Sequence, residues 1–271
     1  MSRSDQRAGS LRCAERVREL FGDELREEAG VVHVLAAWQP ARGASSEPLR
    51  ALTTGASMPA SRNDPFVLRI ARARTDAILT TGRNLRCEPR LTHGLLSSRA
   101  DTSDVQAWRE FSVGKRGLPD TVVLTRGEDL DLSHPVLNGT NRRWILTTSA
   151  AARKLAPAAA RPGLEVIGLE APSPSAASDW LRSEHGFSSV CIEAGPSTSA
   201  QLYFGEPRVD ELLLSLFEAE TIDPSGLGPR FITMNEIERA LPNLASTTTV
   251  AEPSGQWRYL RRTARGRITP R

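Results

Sequence analysis

The stretch Val190-Cys191-Ile192-Glu193-Ala194-Gly195-Pro196-Ser197-Thr198 carries an apolar run into a glycine turn that ends in two hydroxyls. Bare amide N–H groups at such a turn, leading into a helix, form a fixed positive pole that suits a phosphate. The same spacing also fits a purely structural helix cap, with Glu193 accepting from the amides that follow it. A second glycine–hydroxyl turn, Thr80-Thr81-Gly82, and a third hydroxyl cluster, Thr147-Thr148-Ser149, close two further short apolar runs. Taken singly each is an ordinary cap. In a parallel sheet all three meet at one edge, where α/β sheets take ligands. The chemistry suggested is nucleotide binding without G-x-G-x-x-G or G-x-x-x-x-G-K-[ST], neither of which the chain contains.

Strands alternating with helices would bring those turns together. Leu11, Ala14, Val17, Leu20, Phe21 and Leu25 recur at helical steps, predicting an amphipathic helix over residues 11–28 with Gly30 as its stop. Residues 31–37 read as a buried strand and 40–59 as a Gly-, Ser- and Pro-rich loop long enough to be a working loop. A helix over 64–73 feeds a strand over 76–81, and further strands are expected over 122–125, 143–147, 165–169, 190–193 and 211–217. Helices over 150–155, 175–185 and 199–204 fall between them. This alternation predicts an α/β fold, a mainly parallel sheet with helices on both faces, and residues 256–264 as an antiparallel edge strand. Residues 1–30 then form a helical extension, 31–264 a single domain and 265–271 a basic tail.

Composition narrows the function classes. With 271 residues, 39% apolar and 25% charged, the chain has the balance of a globular protein, and a net charge of +3 does not imply nucleic acid. Arg258, Arg261, Arg262, Arg265, Arg267 and Arg271 cluster at the end without an acid, a pattern read as a solvated strand and frayed terminus before a phosphate contact. Cys13, Cys87 and Cys191 are too scattered for a zinc site or disulfide framework, so free thiols and a cytoplasmic location are expected. No run is apolar enough to span a membrane, and residues 1–12 lack the core of a secretory signal, although their Ser and Arg content leaves an organellar presequence open. Among the histidines no pair has metal-ligand spacing; His33 reads as a core imidazole, and His93, His134 and His185 as loop or helix-end residues.

Several strings together resemble a known family. Arg72-Ala73-Arg74-Thr75-Asp76-Ala77-Ile78-Leu79-Thr80, Glu88-Pro89-Arg90-Leu91-Thr92, Val122-Val123-Leu124-Thr125-Arg126, Glu193-Ala194-Gly195-Pro196-Ser197 and Val209-Asp210-Glu211-Leu212 are similar, in order and spacing, to the C-terminal reductase domain of the bifunctional riboflavin-biosynthesis deaminase/reductase. The resemblance covers residues 31–264 and is most specific in Glu-Ala-Gly-Pro followed by Val-Asp-Glu-Leu. It implies a dihydrofolate-reductase-like fold, NADPH as cofactor, a phosphorylated pyrimidine whose ribosyl group is reduced to ribityl, and a homodimer. Carried across by position, Gly195, Pro196, Ser197 and Thr198 would cradle the cofactor diphosphate. Thr125 and Arg126 would meet its adenosine end, where a guanidinium suits a 2′-phosphate, and Ala37, Thr81, Gly82, Asn84 and Glu88 would complete the cofactor contacts. Arg72, Leu91 and Glu193 would line the substrate pocket. Hydride transfer needs alignment and a proton source rather than a protein nucleophile, and no catalytic base is assigned.

The departures are specific. Ala37-Trp38-Gln39-Pro40-Ala41-Arg42 stands where the family has Ala-Ser-Leu-Asp-Gly and a base, so the aspartate is missing, and Trp38 is placed to stack on a ring of the ligand. His93-Gly94 stands near the family's phosphate-binding arginine, leaving Arg90 or Arg99 to substitute. No H-x-E with a later P-C-x-x-C is present, so the deaminase zinc site is not expected here. These departures leave two alternatives, an idle relative that keeps the fold as a binding module and a reductase of another carbonyl or pteridine-like substrate.

Overall fold

A computed structural model describes residues 2–23, 25, 30–41, 45–53, 55, 57–95, 101–127 and 130–264. The predicted basic tail, Arg42 and Arg99 therefore lie outside the described residues.

Helix α1 (Arg3–Phe21) opens with a capping box between Ser2 and Asp5 and ends at Gly22 in the left-handed conformation. Its stop is thus Gly22 rather than Gly30, and the helix is shifted towards the N-terminus relative to the predicted 11–28. Gly30 instead opens β1 (Gly30–Gln39), and β2 (Pro48–Leu52) occupies part of the expected loop. Then follow α2 (Asp64–Arg74), β3 (Ala77–Thr81), α3 (Gly82–Cys87) and α4 (Asp101–Trp108), whose last turn widens into a π-helical turn, Arg109–Val113. Strand β4 (Asp120–Leu124), β5 (Arg143–Thr148), α5 (Ser149–Leu155), β6 (Leu164–Leu169), α6 (Pro174–His185) and β7 (Ser189–Ile192) match the expected alternation. The helix predicted over 199–204 is instead a single turn, α7 (Pro196–Ser199), and a 3-10 turn, Ala200–Leu202. Pro196, with φ fixed and no amide to satisfy, starts the helix early. The chain ends in β8 (Glu211–Glu218), β9 (Leu227–Thr233), α8 (Met234–Ala240), β10 (Asn243–Glu252) and β11 (Gly255–Thr263).

These strands form one sheet in the order β10-β11-β8-β1-β7-β3-β4-β5-β6, with β2 and β9 off the main path. From β8 to β6 every pairing is parallel. The antiparallel C-terminal border is two strands wide, so β11 lies inside the sheet and β10 is the edge strand. Side chains alternate across the sheet as the two-residue period of a strand requires. Val122, Val190, Ile192, Leu212 and Leu214 face a core shared with α6 and α8, whereas Val32, Cys191 and Leu213 face a second core with α1 and α2. Cys13, Val17, Leu20 and Phe21 of α1 are buried in that second core with Phe66, Trp108 and Trp257, so the predicted extension is part of the same packing unit. Trp38 also packs there, its Nε1 donating to the Ala219 carbonyl at 3.0 Å, and so is not presented to a ligand ring. No helix among the described residues is long and apolar enough to cross a membrane.

One discontinuity matters for function. β8 flanks β1 from Val32 to Gln39, but on the other side β7 pairs only with Gly30 to His33, and β2 takes over at Ala37 and Trp38. The sheet is therefore split beside Val34, Leu35 and Ala36, next to the point where β7 runs into Glu193.

Candidate functional site

Parallel β7, β3, β4 and β5 are neighbours, so their carboxyl ends lie along one rim. Thr81 and Thr148 do act as helix caps, their hydroxyls accepting from the Asn84 and Ala151 amides at 3.2 Å each. The rim is nevertheless tied into one unit. The Glu193 carbonyl accepts from Asn84 Nδ2 at 2.6 Å and from Thr80 Oγ1 at 3.3 Å, fastening the first turn to the second. A Cβ on Gly82 would approach Thr125 Oγ1 to 2.8 Å, so glycine lets the turn after β3 close on the turn after β4. The Thr125 hydroxyl accepts from the Gly127 amide at 3.1 Å, and a Cβ on Gly127 would come within 3.3 Å of Thr147 Oγ1. The Thr147 hydroxyl is buried without a partner among the described residues.

At the Gly195 turn, the Thr198 and Ser199 amides both donate back to the Gly195 carbonyl, at 2.9 and 3.0 Å. The amides of Gly195 and Ser197 have no protein acceptor among the described residues, and Ser197 is exposed. Gly195, Pro196 and Thr198 are half-buried, so the turn is open rather than covered. Arg126 is exposed beside half-buried Thr125. Ala37, by contrast, is fully buried between Ala51 of β2 and Leu216 of β8.

On the face towards α2, Arg72 and Glu193 are locked to each other. Nε and Nη2 of Arg72 donate to the two carboxylate oxygens at 2.6 and 2.7 Å, and Nη1 donates to the Thr92 carbonyl at 3.2 Å. Burial pushes the Glu193 carboxyl up, but the guanidinium outweighs it and holds the group below the usual carboxylate range. Glu193 thus does not cap the following helix turn. The Glu88 carboxylate faces the Arg72 guanidinium electrostatically from the end of α3, whereas half-buried Leu91 packs on the core formed by Leu85, Val123 and Ile145.

Sequence reasoning missed His93 as a member of this group. It is buried, senses the charges of Glu193 and Arg72, and hydrogen-bonds Thr121 Oγ1 through Nδ1 at 3.2 Å. Burial pushes its imidazole down to about 3, so the ring is neutral, and its Nε2 has no partner among the described residues. Its position directly after Leu91-Thr92 was the available signal.

A mainly parallel sheet, split beside β1 and rimmed by glycine–hydroxyl turns, defines an α/β protein with a ligand edge at the strand carboxyl ends. In fold it is similar to several solved structures. A pyrimidine reductase-like protein from Corynebacterium diphtheriae matches with a TM-score of 0.57 and 19% identity, over 88% of this chain and 92% of its own. The RibD protein of Acinetobacter baumannii matches with a TM-score of 0.54 and 16% identity, over 87% of this chain, which spans 58% of that protein. The riboflavin biosynthesis reductase Rib7 of Saccharomyces cerevisiae matches with a TM-score of 0.50 and 12% identity, over 92% of this chain and 98% of its own. No family profile matches the sequence, and no curated protein matches it. The chain therefore shares its fold with these proteins, as the resemblance of its motifs implies.

Proposed function

We propose that this chain is an NADPH-dependent oxidoreductase that reduces the ribosyl group of a phosphoribosylamino-pyrimidine to the ribityl form. The observation that carries this reading is the union of the turns after β7, β3, β4 and β5 into one open rim beside the split in the sheet. Two unpaired amides, at Gly195 and Ser197, suit the diphosphate of a dinucleotide. The hydroxyls of Ser197 and Thr198 lie beside them, and exposed Arg126 offers a guanidinium for a 2′-phosphate. NADPH supplies a hydride when bound. What the chain contributes is alignment, with Asn84 and Thr80 fixing the Glu193 carbonyl and Arg72 fixing its carboxylate.

The Arg72–Glu193 pair also favours a second reading, cofactor binding without turnover, because each charge already satisfies the other. One assay separates the two. Purified protein is mixed with NADPH and 5-amino-6-(5-phosphoribosylamino)uracil, the compound named for the reductase of Thermotoga maritima with the same fold, and loss of nicotinamide absorbance is followed. Oxidation dependent on the pyrimidine is expected; saturable NADPH binding without oxidation would favour the second reading, and neither would sink both. The same reading proposes a homodimer, which light scattering on the purified chain tests.

A further inference from the structure

His33 sits on β1 opposite Ile192, the last paired position before the sheet splits. It is fully buried, and its Nδ1 lies 2.7 Å from the Tyr203 hydroxyl. Tyr203 is buried as well and directly follows the turns Pro196–Ser199 and Ala200–Leu202, so it ends the segment that begins at the open Gly195 amide. Phe231 of β9 completes a cluster of three rings, its centroid 5.5 Å from each of the other two. His33 and Tyr203 meet edge-on at 5.7 Å. Three separate parts of the chain, β1, β9 and the segment after β7, therefore converge beneath the split.

An apolar side chain would fill this space with no polar cost. The chain instead buries an imidazole whose Nε2 has no partner among the described residues, a desolvation cost set against the directional bond that its Nδ1 makes with Tyr203. Burial pushes the imidazole down to about 3 and the phenol well above its ordinary range. Both groups are neutral at working pH, so the bond between them does not switch.

We propose that His33 and Tyr203 are positioning residues for the cofactor: their hydrogen bond pins the end of the segment 195–203 to β1, holding the Gly195 and Ser197 amides in place before a dinucleotide arrives. The inference rests on the reading of that rim as an NADPH site, although neither side chain is open to the ligand. Ordering the turn in advance lowers the freedom lost on binding, so the contribution appears as affinity.

Tyr203→Phe tests this, because it removes the hydroxyl and keeps the ring. The Kd for NADPH by calorimetry is expected to rise about tenfold, the scale of one hydrogen bond, with KM for NADPH rising more than kcat falls. Without ligand, hydrogen exchange at residues 195–202 is expected to accelerate while that of β4 and β5 does not. The double variant His33→Phe/Tyr203→Phe is expected to be no worse than the weaker single variant, since both remove one bond. A loss of melting temperature with unchanged Kd and unchanged exchange at 195–202 would overturn the proposal, leaving the pair as core packing. Should the wild-type chain bind no NADPH, the cofactor reading fails, and exchange at 195–202 still decides whether the pin exists.

Discussion

Helix α2 presents two arginines, two residues apart, to two buried carboxylates on either side of β1: Glu211 opens β8, and Glu193 directly follows the carboxyl end of β7. At the start of β8, Arg74 donates to both oxygens of Glu211 at 3.0 and 2.9 Å, and Arg261 adds a third bond at 2.6 Å. Arg261 in turn reaches Asp23 at 3.0 Å, just after α1, so this network joins α1, α2, β8 and β11. After β7, Arg72 and Glu193 form a bidentate pair, and among the described residues no second arginine is bonded to Glu193. The Glu211 pair is 2% exposed on both sides and the Glu193 pair 7% and 10%, and only the latter stands beside the split and the open rim. Residue types alone make the two alike; position in the sheet separates a clamp for the fold from a candidate for the chemistry. Asp210 belongs with the clamp, since its carboxylate accepts from the Val31 amide at 2.7 Å. The Val-Asp-Glu-Leu string, among the most specific marks of the resemblance, thus holds the fold together.

The contrast can be broken most forcefully at Glu211. Glu211→Gln removes the buried carboxylate that Arg74 and Arg261 share, while Arg261 keeps Asp23, and urea unfolding should show a loss of about 3–5 kcal/mol; a loss below about 1 kcal/mol would mean that Glu211 is no clamp. Glu193→Gln should cost less stability, about 1–3 kcal/mol, yet abolish most of the pyrimidine-dependent NADPH oxidation while NADPH affinity stays near wild type. Equal loss of affinity and turnover would place Glu193 on the cofactor side instead.

Acid should reveal the same neighbourhood. His33 and His93 are pushed down to about 3 by burial, below the ordinary 6.5. The unfolded chain binds their protons first, so their contribution is intact above about pH 6.5 and is lost as pH falls towards 3, by up to about 1.4 kcal/mol per pH unit for each ring. Asp64, raised to about 6 by burial, acts in the opposite sense, its stabilisation present at low pH and lost as pH rises through 6. Denaturation midpoints at pH 7 and pH 5 should therefore fall on acidification, and His93→Asn should flatten the slope. The smallest effect is expected at Arg126: Arg126→Ala should weaken NADPH by about tenfold, near 1.4 kcal/mol, and leave NADH unchanged.

Much of this framework was legible in the sequence. Val190 to Ile192 reads as a strand because an unbroken apolar run meets Gly195-Pro196, and β3, β4 and β5 follow the same logic. β9 was hidden because Gly228-Pro229-Arg230 interrupts it, and β10 because its Ala, Ser and Thr residues alternate only weakly between half-buried and exposed positions. β2 was lost in a stretch whose glycines and prolines dominate the local signal. Pairings such as Arg72 with Glu193, 121 residues apart, and Arg74 with Glu211, 137 apart, follow from tertiary packing rather than from any local pattern. The burial of His93 was hidden for the same reason, since the residues that cover it lie on other elements.

Hydrogen-exchange footprinting with saturating NADPH tests the central claim most directly. Simultaneous protection is expected at residues 80–84, 125–127 and 194–199, with the residues around Arg74 and Glu211 unchanged. Protection confined to one of these segments, or centred on Arg74 and Glu211, would contradict that claim.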